Sequence, residues 1–281
     1  MASPYSADFC EFDRMLKKRL IFTLLWQKSL FQLSRNFSLQ AAGNLQWVRK
    51  HYELTSISRS IDELVLLNVA RVDRQPDAFC QDISQLSAFC FMPIAAGGGI
   101  HSVEDAFRLL DAGADKLVVN SVLFSEPRLV RELVHVFGTQ SIVASLDYKC
   151  TPKGREVLTH KGKQSVGLLL EDAVRQAEDL GVGELYITSI DRDGTGQGYD
   201  LEALSLVSNS CHVPVIASGG VGDFRHLLEG LQLKNVTGAS TANIFNFLGD
   251  GLTKARKFIE DNGVQLAHWN FDMVSQADVA G

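Results

Sequence analysis

The chain has no basic surplus: 27 Lys and Arg stand against 33 Asp and Glu, a formal net charge of −6. Surfaces that neutralise nucleic-acid phosphates carry the opposite balance, so this argues against nucleic-acid binding as the main role. No apolar run approaches the length of a membrane span. Cysteine is sparse and unpatterned: positions 10, 80, 90, 150 and 211 form no Cys-x-x-Cys pair and match no His spacing suited to zinc. An odd number of thiols without a framework reads as reduced cysteine in a cytoplasmic protein, with no metal expected. Lys17, Lys18 and Arg19 before the apolar residues 20–26 faintly resemble a signal peptide. The apolar part is short and no small-residue cleavage site follows, so a first strand is the better reading.

What is present suits one large domain. Hydrophobic residues make up 46% of the 281 and charged residues 21%, enough for a sizeable core. Residues 1–14 are polar and aperiodic, an N-terminal extension; 15–265 read as one domain and 266–281 as a C-terminal tail. Strands are expected over 19–25, 63–69, 92–96, 116–120, 141–147, 184–190, 213–217 and, more weakly, 236–240. Helices are expected within 41–55 and 70–91, and over 102–112, 127–137, 168–180, 201–208, 223–230 and 251–262. A Ser-x-x-Asp start resembling a capping box opens the helix at 102. Residues 26–47 fit no period and lack the glycines of a ligand loop; residues 150–166 suggest a hairpin-like excursion. Eight strand–helix units in this order point to an α/β fold, a (β/α)8 TIM barrel.

The chain also repeats itself. Met92-Pro-Ile-Ala-Ala-Gly-Gly-Gly-Ile and Val213-Pro-Val-Ile-Ala-Ser-Gly-Gly-Val share a pattern, and Pro93 and Pro214 lie 121 positions apart. Downstream, Asn120 and Asn243 each precede a small or apolar pair. Two stacked half-barrels account for this. Each half then offers a glycine turn after its third strand and an asparagine near the end of its fourth. Converging backbone N–H groups beside a helix start hold phosphate. Two such sites on opposite sides of one barrel mouth imply a small molecule with a phosphate at each end. The alternative is a purely structural pair of turns.

The remaining chemistry sits at strand ends. The apolar run 184–190 empties into Asp191-Arg192-Asp193-Gly194-Thr195, the way parallel sheets build ligand sites. Asp147 ends the fifth strand, where a carboxylate can move protons. The half-repeat predicts its partner at Leu25, which cannot, and Asn68 at the end of the second strand is uncharged. The expected mouth carboxylates are therefore Asp147, Asp191 and Asp193; the alternative for Asp191 is a turn residue pairing with Arg192 or a loop N–H. At the opposite strand ends stand Arg19, Glu63, Lys116 and Glu184. Charges are seldom buried unpaired, so these four suggest a closed ring. The alternatives are four solvated strand ends, or a ring that seals the barrel without a passage.

These words together resemble the cyclase subunit of imidazole glycerol phosphate synthase: GGGI at 97–100, GADKLVVNS at 113–121, SIVASLDYK at 141–149, GELYITSIDRDGTGQGYD at 183–200 and IASGG at 216–220. The resemblance runs in order over roughly 15–262. It implies a barrel whose bottom docks a glutaminase subunit as a heterodimer. Ammonia from that partner passes to the mouth, where it attacks a bis-phosphorylated ribulosyl-formimino substrate; no cofactor is implied. By position, Arg19, Glu63, Lys116 and Glu184 match the family's ammonia gate, and Asp115 a contact to the glutaminase. Gly98, Gly99, Asn120 and Ser121 match one phosphate site. Asp193, Gly194, Thr195, Gly219, Gly220 and Asn243 fall at or beside the other. Asp147 matches one of two catalytic aspartates.

The departures are as informative. Leu25 stands where the family has its other catalytic aspartate, the lysine of the first loop falls on or near Leu33, and Asn68 replaces an aspartate. An intact gate with altered cyclase chemistry is similar to a divergent branch associated with glycosyl amidation and surface-polysaccharide genes. FMPIAAGGGI at 91–100 and LTHKGK at 158–163 also look like that branch. The expectation is ammonia delivery for sugar amidation, with a downstream amidotransferase as a further partner. The rivals are a true cyclase of histidine biosynthesis and a scaffold that only activates the glutaminase. The related two-phosphate isomerase barrel fits less well, because it too uses a carboxylate at the first-strand end.

Overall fold

The computed structural model describes residues 17–52, 59–243 and 248–267. The N-terminal extension and most of the tail lie outside them, as do residues 244–247 after Asn243. The chain begins with β1 (Arg19–Gln27), β2 (Leu30–Arg35), β3 (Ser38–Gly43) and α1 (Leu45–Tyr52). It continues through β4 (Glu63–Asn68), α2 (Pro76–Ser87), β5 (Ile94–Gly97), α3 (Val103–Asp111), β6 (Lys116–Val119), α4 (Val122–Ser125) and α5 (Pro127–Phe137). The second half holds β7 (Ile142–Thr151), β8 (Gly154–Thr159), β9 (Gln164–Leu169), α6 (Leu170–Asp179), β10 (Glu184–Ser189) and α7 (Leu201–Ser210). It ends with β11 (Val215–Ser218), α8 (Phe224–Gln232), β12 (Val236–Thr241) and α9 (Gly251–Asp261).

Eight strands, β1, β4, β5, β6, β7, β10, β11 and β12, pair in parallel in that order, and β12 closes onto β1. This is the expected (β/α)8 barrel. Side chains alternate across each strand. On β1, Leu20, Phe22, Leu24 and Trp26 join the large core between sheet and helices, while Ile21 joins a separate interior cluster with Val65, Ala95, Val118, Val143, Tyr186 and Ile216. The strand at 236–240, weak as a sequence signal, is buried throughout because both its neighbours cover it.

The halves correspond residue by residue. Ile21 pairs with Glu63 across β1–β4, and Val143 with Glu184 across β7–β10. Counting up, Leu25 sits opposite Leu67 and Asp147 opposite Thr188, so Leu25 and Asp147 hold the same register position. The unreadable stretch 26–47 is the antiparallel ribbon β2–β3 hung on β1, and the excursion at 150–166 is its counterpart β8–β9 hung on β7. Each ribbon gives its parent barrel strand an antiparallel continuation over the mouth. The second was legible because it is polar with Gly154 and Gly162 at its turns. The first buries Phe31 and Leu33 and turns on Asn36 and Phe37 in left-handed backbone, without glycine.

Helix starts follow the sequence signals. The Ser102 side chain accepts the Asp105 N–H at 3.1 Å, as a capping residue should, but the Asp105 carboxylate reaches one residue further back, to the His101 N–H at 2.9 Å. The chain returns to the barrel bottom after α9. Leu266 is buried and bridges Lys18, and Asp62 holds Arg256 at 2.9 Å within the core.

Candidate functional site

The two ends of the barrel carry different chemistry. At the strand starts, Arg19 contacts both Glu63 and Glu184, and Lys116 Nζ lies 3.1 Å from Glu63 and 3.2 Å from Glu184. The four form a closed ring of alternating charge, and Arg19 adds a bond to the Thr237 hydroxyl at 3.2 Å. Burial opposes the Arg19 charge, but Glu184 and Glu63 outweigh it and hold the guanidinium above its ordinary value. Four solvated strand ends are therefore ruled out. Beside the ring, Asp115 is exposed, with one carboxylate oxygen on the Ile94 N–H at 2.8 Å.

At the strand ends, two chambers adjoin. The first, about 180 Å³, is walled by Leu25, Asn68, Gly98, Gly99, Asn120, Ser121, Asp147 and Asp193 among others. The second, about 350 Å³, is walled by Leu33, Gly194, Thr195, Gly219, Gly220 and Asn243. They share Ser34, Asp193, Ser218 and Ala242. Each glycine turn of the internal repeat thus lies in its own chamber, the arrangement a ligand with two terminal phosphates needs.

The turns depend on glycine for a specific reason. Gly98 has φ +103°, and a Cβ there would lie 2.1 Å from the Asn68 carbonyl oxygen. Its repeat partner Gly219, at φ +87°, faces the carbonyl of Ser189, the residue matching Asn68 in the other half. Any side chain would push the turn off the neighbouring strand. Gly98→Ala is expected to cost about 1–3 kcal/mol of stability. If the turn holds phosphate, as the repeat predicts, inorganic phosphate should raise the melting temperature of the parent and not of this variant. Equal protection of parent and variant would exclude this turn as a phosphate site.

Asp147 is half-buried and lines the first chamber. Its carboxyl is pushed up to about 7, chiefly by desolvation and also by Asp193, against the Asn120 amide, which donates at 3.1 Å, and the Arg71 charge. Asn120 also donates to the Ser145 carbonyl at 3.0 Å, so its amide orients Asp147 as well as facing the chamber. Asp193 accepts bonds from the Ser34 hydroxyl and, at 3.0 Å, from the Phe37 N–H. Its carboxylate therefore clamps the β2–β3 ribbon over the mouth. Thr195 turns inward on its own loop, its hydroxyl bonded to the Arg192 carbonyl at 2.8 Å. Of the two readings of Asp191, the structure favours the turn residue over the mouth carboxylate: it is exposed and accepts the Cys150 N–H at 2.8 Å, the role that short polar side chains favour.

The sequence reading missed the cations of the first chamber. Arg71 and Arg74 follow β4 and Lys161 tips the β8–β9 ribbon; all three line the chamber, as does His101 after β5. Arg74 bonds His101. Burial lowers the Lys161 ammonium, and Arg71 lowers it further. Cations held close enough to disfavour one another's charge suit an anionic ligand. Their signal was available, since loops after barrel strands carry function, but the Arg-x-x-Arg after Asn68 has no motif form. Among the described residues, no group of three or more His, Cys, Asp or Glu is placed to hold a metal ion. No helix among them is long and apolar enough to cross a membrane. Cys80, Cys90, Cys150 and Cys211 are free.

A half-repeated (β/α)8 barrel, with a charged ring at its strand starts and paired glycine turns at its mouth, is the class of protein that the fold and site define. The pattern of the family described as "Histidine biosynthesis protein" matches residues 44–249. Similar proteins include "Putative imidazole glycerol phosphate synthase subunit hisF2" of Parasynechococcus marenigrum (strain WH8102). It is 37% identical over 256 residues, 91% of this chain and 95% of that one. "Imidazole glycerol phosphate synthase subunit HisF" of Chloroherpeton thalassium (strain ATCC 35110 / GB-78) is 36% identical, covering 90% of this chain and 99% of that one. The protein of the same name from Chlorobium luteolum (strain DSM 273 / BCRC 81028 / 2530) is 34% identical, covering 89% and 98%. The chain belongs to the HisF family of imidazole glycerol phosphate synthase cyclase subunits.

Proposed function

We propose that this chain pairs with a glutaminase at its ring face and carries ammonia along the barrel axis to the two-chambered mouth. There it serves the amidation of a sugar for a surface polysaccharide, through a downstream amidotransferase, rather than closing the imidazole ring. The observation that carries this reading is Leu25. It occupies the register position of Asp147 in the other half and walls the first chamber. A leucine there can neither accept nor donate a proton. Loss of one of two proton-transfer groups costs about 10²–10⁴ in rate. The ring offers a polar, neutral entrance, and the cations around Gly98 and Gly99 favour an anionic ligand.

A second reading, a working cyclase, is favoured by the state of Asp147. A carboxyl near 7 is matched to proton transfer at neutral pH, and Asp193 lies in the same chamber. The two relatives with the plain HisF name add weight to it.

The decisive assay supplies ammonium salt and the formimino-ribulosyl substrate to the purified chain without a glutaminase. This bypasses the ring and tests the mouth alone. The expected result is turnover at least 10²-fold below ordinary enzyme rates, rising in Leu25→Asp. Ordinary turnover with leucine in place would overturn the amidation reading in favour of the cyclase.

A further inference from the structure

Two cations of the first chamber have no counter-ion in contact. Arg74 is accounted for: its guanidinium bonds His101 and lies against Gly99, where an added Cβ would sit 2.8 Å from Nη1. It belongs to the glycine turn. Arg71, at the open rim, and Lys161, half-buried, line the same chamber. Neither makes a hydrogen bond or ion pair among the described residues. Asp147 is engaged elsewhere, by the Asn120 amide at 3.1 Å. Desolvation lowers both cations below their ordinary values. A neighbouring arginine lowers them further, Arg74 for Arg71 and Arg71 for Lys161, and Asp147 only partly relieves Arg71.

Both cations are presented by constrained backbone. Arg71 sits in the loop that follows β4, and the buried Asn68 side chain stitches that loop across. Its amide donates to the Arg74 carbonyl at 2.7 Å, and its oxygen accepts the Ala70 N–H at 3.1 Å. An aspartate could not make the first bond, because a carboxylate has no proton to donate. Asp73 and Gln75 take left-handed backbone there without being glycine. His160 and Lys161 do the same at the tip of β8–β9. That tip is packed: a Cβ on Gly162 would lie 3.1 Å from Ile190 and 3.8 Å from Phe37 of the β2–β3 ribbon. Such conformations persist where the surroundings hold them, and they cluster at ligand sites.

The charge of the chamber points the same way. Leu25 and Asn68 stand where the resemblance to the cyclases implies aspartates, and both wall the chamber. The two glycine turns serve the phosphates of a doubly phosphorylated ligand through backbone N–H groups. Arg71 and Lys161 are left over for another group. We infer that Arg71 and Lys161 form a third anion site at the barrel mouth, which takes a carboxylate of the ligand in addition to the phosphate at Gly98 and Gly99. The planar fork of arginine matches a carboxylate, and lysine adds a flexible point charge. A carboxylate carries one charge, where a phosphate would set nearly two beside Asp147 and Asp193. An aspartate at position 25 or 68 would repel it. The inference goes beyond the proposed reaction, which places no acid group other than phosphate on the ligand.

The test is calorimetric titration of the intact chain with 3-phosphoglycerate and glycerol 3-phosphate. The first carries a carboxylate where the second carries a hydroxymethyl group. 1,3-Propanediol bisphosphate sets a phosphate in the same place. 3-Phosphoglycerate should bind about tenfold tighter than glycerol 3-phosphate. That ratio should fall toward unity in Arg71→Gln and in Lys161→Gln. Lys163→Gln makes the same charge change at an exposed neighbour outside the chamber wall, and should leave the ratio intact. A ratio near unity in the parent, or one that falls equally in Lys163→Gln, overturns the inference. So does an Arg71-dependent advantage for the bisphosphate and none for 3-phosphoglycerate, which would make this a phosphate site. No glutaminase, ammonia or turnover enters the titration, so its failure is distinct from failure of the ammonium assay that tests the proposed function.

Discussion

Arg19→Met is expected to destabilise the protein by about 3–5 kcal/mol, and Lys116→Met by roughly 1.5–3 kcal/mol. Both remove one cation from a ring that holds two nearly buried carboxylates, Glu63 and Glu184. The costs differ because the cations are held differently. Arg19 presents a rigid fork that engages both glutamates and Thr237 at once. Lys116 reaches the same two carboxylates at 3.1 and 3.2 Å with a single flexible ammonium, and its side chain is 23% exposed against 18% for Arg19. Without lysine, each glutamate keeps its contact to Arg19. Without arginine, two buried carboxylates share one amine. Denaturant unfolding of the two variants checks this order, and equal losses would mean that the ring is not organised around Arg19. The same asymmetry makes Lys116→Met the better variant for coupling experiments, since it perturbs the entrance while the barrel stays folded.

The barrel was legible because its strands are short apolar runs bounded by charge below and by glycine or aspartate above. The repeat was legible because both halves spell the same proline-to-glycine turn, and both turns meet the same carbonyl of the preceding strand. The ring could be read because Arg19, Glu63, Lys116 and Glu184 occupy equivalent strand starts. What escaped was set by tertiary contact. The ribbon over 30–43 turns on Asn36 and Phe37, and the Asp193 carboxylate, 156 residues away, accepts the Phe37 N–H. No local signal announces that partner. Asp191 and Asp193 look alike in sequence two positions apart, yet one is exposed and caps Cys150 while the other is buried and clamps the ribbon. A cluster of buried hydroxyls draws on four different strands of the barrel. Thr23, Tyr186, Ser218 and Ser240 become neighbours only when β12 closes onto β1.

Asp147→Asn should remove a pH dependence from the stability of the fold. Desolvation in the chamber pushes the carboxyl up to about 7 in the native state against an ordinary 3.8. Between those values the native protein keeps a proton that the unfolded chain has released. The folded state therefore binds more protons, and stability falls as pH rises through this window. Above about pH 7 the full penalty is present, on the order of 4 kcal/mol. Asparagine cannot ionise, and Asn120 can turn its amide to donate or accept toward it. The variant should therefore be flatter from pH 4 to 7 and more stable than the parent at pH 8, as read by denaturant midpoints at each pH. An unchanged pH profile would mean that Asp147 stays ionised in the native protein, solvated through the mouth. A carboxylate kept in the chamber at that cost is a feature of function rather than of folding. The half-barrel counterpart has shed the same burden by becoming Leu25. A true two-aspartate mouth would pay it twice, so Leu25→Asp should lower stability at pH 8 and raise the Asp147 carboxyl further, by bringing a second negative charge to the same chamber.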